Sequence, residues 1–313
     1  MKIVIALGGN ALAQENQRGT HEEMTANIKV VCKELMRIID TGHQLVITHG
    51  NGPQVGNLAL QQLAVTSVPA LPLHVLDAMT QGEVGYMLQR ELGNSLRSVG
   101  SKRPVISLVT QVLVDRSDKA FQRPSKPVGP FYGETEAKAL QKKEDFIIER
   151  VGSGPRPYRR VVPSPEPRSI VEAETASRVL DTGAIVIAGG GGGIPVVKTS
   201  TGEYVGIDAV VDKDLAAEKL AEGIRADVLL ILTDVDRVKK NYGSKEEKAI
   251  DKMTTEEATE LMKEGQFPPG SMGPKVEACV RFVEWGGKPA VIASLGHAFE
   301  ALEGSAGTRV IPG

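Results

Sequence analysis

Short apolar runs alternate with amphipathic stretches along most of the 313-residue chain. Several of the runs are apolar throughout, which is typical of parallel strands that are covered on both faces of a sheet. The strands predicted from these runs cover residues 2–7, 44–48, 104–109, 184–188, 226–232 and 288–293.

The segment after the first strand predicts a helix with both ends marked. Thr20 and Glu23 form a capping-box pattern at its start, and Gly42 is a stop signal at its end. One apolar face lies between them, at spacings of four and three: Met24, Ile28, Val31, Leu35 and Ile38. Helical patterns also cover residues 134–143, 212–221, 254–263 and 273–285. This alternation of strands and helices predicts a doubly wound α/β sandwich.

Residues 116–168 interrupt the alternation. They contain eight of the chain's eighteen prolines and twelve lysines and arginines. The segment is predicted to be an insertion that projects from the sheet as a lid, or else a solvated surface excursion. Composition leaves both interpretations open.

Four glycine-rich loops adjoin the predicted strands and helices. They are Gly8-Gly9-Asn10, Gly50-Asn51-Gly52, residues 189–193 and residues 270–273. In open α/β sheets, ligands bind at the carboxyl ends of the strands, and glycines there let backbone N–H groups approach anionic oxygens. One such loop could be only a tight turn. Four of them favour a phosphate or carboxylate site.

Three lysines support an anionic ligand. Lys213 lies at the start of a predicted helix, between Asp212 and Asp214, and Lys275 lies in the first turn of another. A lysine near a helix N-terminus is disfavoured unless an anion is also present. Lys126, between two prolines, lies in a loop with restricted backbone freedom.

Other polar residues leave two interpretations each. Asp234 and Asp236 follow a buried strand, where they could meet a nucleotide or metal, or could cap a turn. Tyr242 could stack on a base or pack on the surface. His49, inside a glycine loop, is the histidine with the most suggestive position.

The familiar nucleotide-binding and zinc-binding signatures are absent from the sequence. The chain contains no G-x-x-x-x-G-K-[ST] motif, no G-x-G-x-x-G, no protein-kinase motifs and no zinc-ligand spacing.

Composition narrows the classes of partner. The net charge is −2, from 37 Lys and Arg against 39 Asp and Glu, which does not favour a nucleic acid or a membrane surface as partner. Cys32 and Cys279 are too few for a disulfide framework and indicate a reducing compartment. Without a signal-peptide pattern or an apolar run of membrane-spanning length, a cytoplasmic location is expected.

Eight collinear segments are similar to the carbamate kinases, which are members of the amino acid kinase family. They are LGGNAL (7–12), THGNGPQVG (48–56), PSKPVGPFYG (124–133), RRVVPSPEP (159–167), IAGGGGGIPVV (187–197), DAVVDKDLAAEKLA (208–221), LTDVDRV (232–238) and GSMGPKVEA (270–278). The first glycine loop marks the wider family, whereas HGNGPQVG and PVGPFY narrow the resemblance to carbamate kinases. Tyr158, where tryptophan is expected, and Glu166, where a basic residue is expected, depart from the pattern.

The resemblance implies the amino acid kinase fold, a three-layer αβα sandwich with a mainly parallel open sheet and a small protruding insertion. Residues 1–313 would form one such domain. An N-terminal lobe, 1–225, would hold the carbamate and phosphoryl-acceptor site and include the insertion 116–168. A C-terminal lobe, 226–313, would hold the nucleotide. The resemblance also implies a homodimer.

The implied reaction is reversible and Mg²⁺-dependent: ATP and carbamate give ADP and carbamoyl phosphate by in-line phosphoryl transfer. The expected direction is ATP formation in arginine and carbamoyl phosphate catabolism. The partners would be these small molecules, with Mg²⁺ held mainly by the nucleotide phosphates. A carboxylate-type acceptor is already ionised, so catalysis reduces to positioning and charge stabilisation.

Residue roles follow from the resemblance, position by position. The phosphoryl group and the carbamate would be bound by Gly8, Gly9, Asn10, Gly50, Asn51 and Gly52. The catalytic set would be Lys126, Lys213, Lys275 and Asp214, with Asp214 holding the lysines in place. The nucleotide would be surrounded by Thr233, Asp234, Val235, Tyr242 and Met272, with its phosphates near Gly190, Gly191 and Gly192.

Two alternatives remain at this stage. One is another kinase of the same family that acts on acetylglutamate, glutamate or aspartate. The other is a nucleotide sensor without catalysis, although the three candidate lysines argue against it, because a sensor needs no groups that stabilise a transferred phosphoryl.

Overall fold

The computed structural model describes residues 1–14, 17–65, 67–144 and 146–313, and the side chains of Asn10, Lys143 and Glu144 lie outside this description. The α-helices of the described residues are α1 (His21–Ile39), α2 (Gly52–Ala64), α3 (Leu73–Ser98), α4 (Glu134–Glu144), α5 (Ala173–Asp181), α6 (Lys213–Ile224), α7 (Thr255–Lys263), α8 (Met272–Gly286) and α9 (Ala298–Glu303). Short 3₁₀ helices lie at Gly9–Ala11, Lys119–Phe121, Gly190–Gly192 and Leu295–His297.

The strands of the described residues fall into four sheets. They are β1 (Lys2–Leu7), β2 (Gln44–His49), β3 (Val105–Ser107), β4 (Gln111–Val114), β5 (Lys126–Tyr132), β6 (Ile148–Arg150), β7 (Tyr158–Val162), β8 (Pro167–Ile170), β9 (Ile185–Ile187), β10 (Ile194–Lys198), β11 (Tyr204–Gly206), β12 (Val228–Thr233), β13 (Lys239–Lys240), β14 (Lys248–Ala249), β15 (Lys252–Thr254), β16 (Ala290–Ser294) and β17 (Thr308–Ile311).

The central sheet has the strand order β3-β9-β2-β1-β12-β16-β17-β15. The strands from β3 to β16 are mutually parallel, and β17 is antiparallel to β16. β1 lies between β2 and β12, with Ala6 paired to Thr48 on one side and to Ile231 on the other. The carboxyl ends of these three strands therefore meet at one edge of the sheet.

Both faces of the central sheet are covered by helices. Ile3 and Ile5 belong to one apolar core, together with buried residues of α1, α3 and α9. Val4 and Ala6 belong to a second core with residues of α5, α6 and α8. Because successive side chains of a strand point to opposite faces, the strand is buried on both sides. The predicted three-layer αβα fold with a mainly parallel sheet is confirmed.

Local sequence signals explain most of the predicted elements. All six predicted strands form, with ends that differ by a few residues, and the capping box of Thr20 and Glu23 is present at the start of α1. Asp212 caps α6, since its side chain accepts hydrogen bonds from the backbone N–H groups of Asp214 and Leu215. The patterns predicted neither α2 nor α3.

The predicted insertion contains a separate module. β5, β7 and β6 form a three-stranded antiparallel sheet accompanied by α4. β5 packs closely on α2, where a Cβ atom added to Gly56 would lie 2.9 Å from the Cα atom of Gly129. The boundary at residue 168 falls inside β8, which pairs with β4 of another sheet. Lid function and the division into lobes stay predictions.

Across the described ranges, none of the helices has the length and apolar character that crossing a bilayer requires.

Candidate active site

A cavity of about 360 Å³ opens at the carboxyl edge of the central sheet. Its walls come from the loops after β1 and β12, from α1, and from the starts of α6 and α8. The lining residues are Gly8, Gly9, Ala11, Gln14, Asn27, Val30, Lys213, Leu232, Thr233, Asp234, Gly270, Ser271, Lys275 and Leu295. Six of the predicted site residues are among them, drawn from four separate parts of the chain.

In the first two loops, Gly8 and Gly50 lie in close backbone contacts. Gly8 donates its N–H to the carbonyl oxygen of Leu232 at 2.9 Å, and an added Cβ would lie 3.0 Å from that oxygen. A Cβ atom on Gly50 would lie 3.3 Å from the Cα of Gly9. Gly9 itself has open space where its side chain would be. Absence of side chains thus brings the two loops together and leaves the cavity accessible.

Lys213 and Lys275 share one buried carboxylate on the cavity wall. Asp214 Oδ1 accepts a hydrogen bond from Lys213 Nζ at 2.5 Å, and Oδ2 accepts one from Lys275 Nζ at 3.1 Å. Burial alone would raise the pKa of Asp214, but the two ammonium groups hold that pKa below its ordinary value. The carboxylate therefore stays charged and fixes both cations. Asp214 thus contacts both lysines, and its role in catalysis stays a prediction.

Lys126 reaches the same helix start from the insertion. Its Nζ lies 2.8 Å from Oδ2 of Asp212, the residue that caps α6. Lys126 does not line the cavity. It is linked to the cavity lysines by hydrogen bonds: Asp212 accepts from Lys126 and from the backbone N–H of Asp214, whose side chain contacts Lys213 and Lys275.

The side chain of Asn51 points away from the cavity. It is buried, and its Nδ2 donates to Thr80 Oγ1 at 2.8 Å and to Asp77 Oδ1 at 3.2 Å. Asp77 is itself buried, which raises its pKa to about 8, although the bond from Asn51 opposes that shift. Gly52 is the first residue of α2. The side chain of Asn10 lies outside the described part of the chain. Direct substrate contacts of Asn10, Asn51 and Gly52 stay predictions.

His49 is a structural residue. It is buried, and its Nδ1 donates to the carbonyl oxygen of Gly50 at 3.0 Å. Burial lowers the pKa of His49 to about 4, against a smaller opposing effect of the Gly50 bond. The ring is therefore neutral at physiological pH.

The glycine run Gly190–Gly192 lies behind the site, among buried side chains. A Cβ atom on Gly190 would lie 2.5 Å from Nε2 of His49, and one on Gly191 would overlap the side chain of Asn51. Gly191 and Gly192 have φ values of +68° and +97°, which favour glycine. The three residues support the loop after β2 and do not line the cavity. Their contact with nucleotide phosphates stays a prediction without support from the cavity.

The predicted nucleotide residues divide into two groups. Thr233 and Asp234, at the end of β12, line the cavity. Val235 follows them, half-buried, while Met272 begins α8 and packs against the core. Tyr242 is 67% exposed, with Lys239 Nζ 6.0 Å from its ring centre. Val235, Tyr242 and Met272 lie outside the cavity lining.

The sequence patterns missed several cavity residues. Asn27 interrupts the apolar face of α1, is buried, and donates from Nδ2 to the carbonyl oxygen of Leu12 at 3.0 Å. The only sign of Asn27 in the sequence is that it is a polar residue on an otherwise apolar face of the helix. Outside the cavity, the pairing of Asp212 with Lys126, 86 residues away, has no local signature in the sequence. Gln14 and Leu295 gave no signal at all.

Comparison with known proteins identifies the family. The model of the amino acid kinase family matches residues 1–294. A carbamate kinase of Thermococcus kodakarensis is 53% identical, with 99% of each chain covered. A carbamate kinase structure from Giardia lamblia bound to AMP-PNP has a TM-score of 0.93 at 41% identity, covering 100% of this chain and 98% of that one. A structure from Aeropyrum pernix K1 has a TM-score of 0.95 at 44% identity, with both chains fully covered. The chain therefore belongs to the amino acid kinase family, among its carbamate kinases.

Proposed function

We propose that the protein catalyses the reversible transfer of the γ-phosphoryl group of ATP to carbamate, giving ADP and carbamoyl phosphate. The observation that carries the proposal is the pair of ammonium groups, Lys213 and Lys275, held by buried Asp214 on the wall of a glycine-lined cavity. The carbamate kinase relatives, one of them bound to AMP-PNP, support both the acceptor and the nucleotide.

The chemistry requires charge stabilisation more than proton transfer. Carbamate is already an anion, so no general base has to activate it. The transferring phosphoryl spreads negative charge over its oxygens, and Lys213 and Lys275 are positioned to neutralise that charge. The N–H of Gly8 is occupied by Leu232, so the backbone of Gly9 and Asn10 would face the phosphoryl oxygens. Buried, neutral His49 takes no part in this step.

The nucleotide would lie on the β12 side of the cavity, near Thr233 and Asp234, with its phosphates directed at the lysines. Mg²⁺ usually binds through substrate phosphates, waters and one or two carboxylates. In the described ranges, no three His, Cys, Asp or Glu side chains are grouped so that they could hold a metal ion. As the resemblance to carbamate kinases implies, we propose that Mg²⁺ arrives with ATP or ADP, where it would neutralise negative charge on the nucleotide phosphates.

Three further expectations belong to this proposal. The direction would be ATP formation from carbamoyl phosphate, the assembly a homodimer, and the location the cytoplasm. Burial raises the pKa of Cys32 to about 12 and raises that of Cys279 too, so both thiols stay protonated and are suited to a structural role.

The test is ATP formation from ADP, Mg²⁺ and carbamoyl phosphate, with acetyl phosphate and acetylglutamyl phosphate in parallel. We expect rapid ATP production from carbamoyl phosphate and at most slow production from the other two. If ATP forms only from one of the other two acyl phosphates, the carbamate assignment fails, while the proposed roles of the lysines stand. Nucleotide binding without ATP production from any of the three would favour the sensor.

A further inference from the structure

The two carboxylate oxygens of Asp212 accept hydrogen bonds from different parts of the molecule. Oδ1 accepts the backbone N–H of Asp214 at 2.9 Å, which caps α6. Oδ2 accepts Nζ of Lys126 at 2.8 Å, on the first residue of β5 in the insertion. One side chain therefore joins the insertion to the helix that begins with Lys213.

The insertion is packed so that Lys126 can stay at this place. Val128 and Val162 of the insertion share a small apolar core with Val55 and Val210. In the antiparallel pair of β5 and β7, Lys126 lies opposite Val162, and paired residues share a face of the sheet. Lys126 therefore lies on the face of the insertion that packs against the body of the protein.

The two aspartates differ in how easily an anion could displace them. Asp214 has 4% of its side chain exposed and holds two lysines. The pair of Lys126 and Asp212 has 31% and 15% exposed. An ion pair that water partly reaches is less costly to separate than a fully buried one, in which a carboxylate left without a partner carries a large cost. An incoming anionic substrate would thus compete with Asp212 for Lys126.

We propose that Asp212 is a positioning residue that holds Lys126 beside the phosphoryl site and releases it to the acyl phosphate or carbamate. This inference rests on the proposed function, because it assigns Lys126 to the acceptor end of the substrate. In the structure each of the three lysines has a carboxylate partner. In the occupied site Asp212 keeps the helix cap while Lys126 moves to the substrate oxygens.

The two tasks of Asp212 can be separated by substitution. Asn is as good an N-cap as Asp, so Asp212→Asn keeps the cap and removes the charge that holds Lys126. We expect kcat for ATP formation to fall about tenfold, with no rise in KM for carbamoyl phosphate and no change in melting temperature. Asp118→Asn is the matched control, since Asp118 caps the turn at Ala120 and has no lysine partner among the described contacts. It should leave kcat unchanged.

A double-mutant cycle distinguishes positioning of Lys126 from an independent effect. In the Lys126→Ala background, Asp212→Asn should cause no further loss of kcat, because the residue that it positions is gone. Multiplicative losses would overturn the proposal, as would an Asp212→Asn variant with normal kcat.

A second measurement does not depend on activity. Acetic anhydride labelling of lysines, mapped by mass spectrometry, should show Lys126 several-fold more reactive in Asp212→Asn. Lys138, which is on the same insertion and pairs with Glu134, should be unchanged. If the wild-type chain makes no ATP from carbamoyl phosphate but Lys126 labelling rises as expected, the pairing stands and the proposed function fails. Unchanged Lys126 labelling overturns the pairing.

Discussion

At the scale of single residues, the site depends on which carboxylate holds which lysine. Asp214 is buried and still charged because two ammonium groups lie against it. Sequence context singled out Lys213 and Lys275, since lysines at helix starts need nearby anions, and the resemblance to carbamate kinases added Asp214. It could not show that Lys275 and Asp214, 61 residues apart, share a hydrogen bond. That contact depends on the way α6 packs against α8.

The first residue-scale prediction concerns these lysines. Lys213→Ala and Lys275→Ala should each lower kcat by about 100- to 1,000-fold, roughly 2.7–4 kcal/mol, as expected for a preorganised donor to developing charge. Steady-state kinetics of ATP formation measure this directly. Lys263→Ala is the control, because Lys263 is exposed at the end of α7, and it should leave kcat unchanged. A loss below tenfold would mean that the substituted lysine behaves like a surface residue and does not stabilise the transferring phosphoryl group.

At the scale of elements, the predicted strands follow from apolar runs, whereas α3 has a less regular pattern. Its buried positions include Asp77, Thr80, Gln81 and Glu91, which interrupt the apolar face. Three of them have partners in the site's loops: Asp77 and Thr80 accept hydrogen bonds from Asn51, and Gln81 Nε2 donates to the carbonyl oxygens of Thr110 and Gly190 at 3.0 and 2.9 Å. Glu91 pairs instead with Arg90 of the same helix. The residues that support the loops are thus the same ones that weaken the helical signal.

The element-scale prediction tests the glycine run. Gly191→Ala should lower the free energy of unfolding by clearly more than the ~1–2 kcal/mol expected for a left-handed residue, because its Cβ would also overlap Asn51. Gly183→Ala is the matched control, with φ of +89° and nothing within 4 Å of the added Cβ. Urea unfolding measures both. Equal losses would show that Asn51 moves aside at no cost.

At the scale of the whole molecule, buried ionisable groups link stability to pH. Asp77 has a pKa near 8, raised mainly by burial, against an ordinary value of about 3.9. Between these two values the folded chain keeps a proton that the unfolded chain has released. The free energy of unfolding therefore falls as pH rises through this interval. His49 acts in the opposite direction, but only between its folded pKa of about 4 and its unfolded value near 6.5.

The whole-molecule prediction uses Asp77→Asn, which keeps an oxygen acceptor for Asn51. Relative to wild type, the variant should gain stability steadily from pH 6.5 to pH 8, above the range in which His49 titrates. Urea unfolding at several pH values measures the gain. Asp40→Asn, at an exposed helix end, is the control and should change the free energy of unfolding by the same small amount at every pH. A constant difference for Asp77→Asn would mean that Asp77 is ionised in the folded protein.

The position of β1 has a consequence for synthesis. β1 is made long before β12, which is one of its two neighbours, and the N–H of Lys2 donates to the carboxylate of Asp227, 225 residues away. At about 5–20 residues per second, the ribosome would take on the order of 10 to 45 s to supply that neighbour. During this time the growing chain has an apolar strand with one unpaired edge, which is a template for aggregation. The nascent chain is therefore more vulnerable to aggregation than the finished protein, in which β2 and β12 cover both edges of β1.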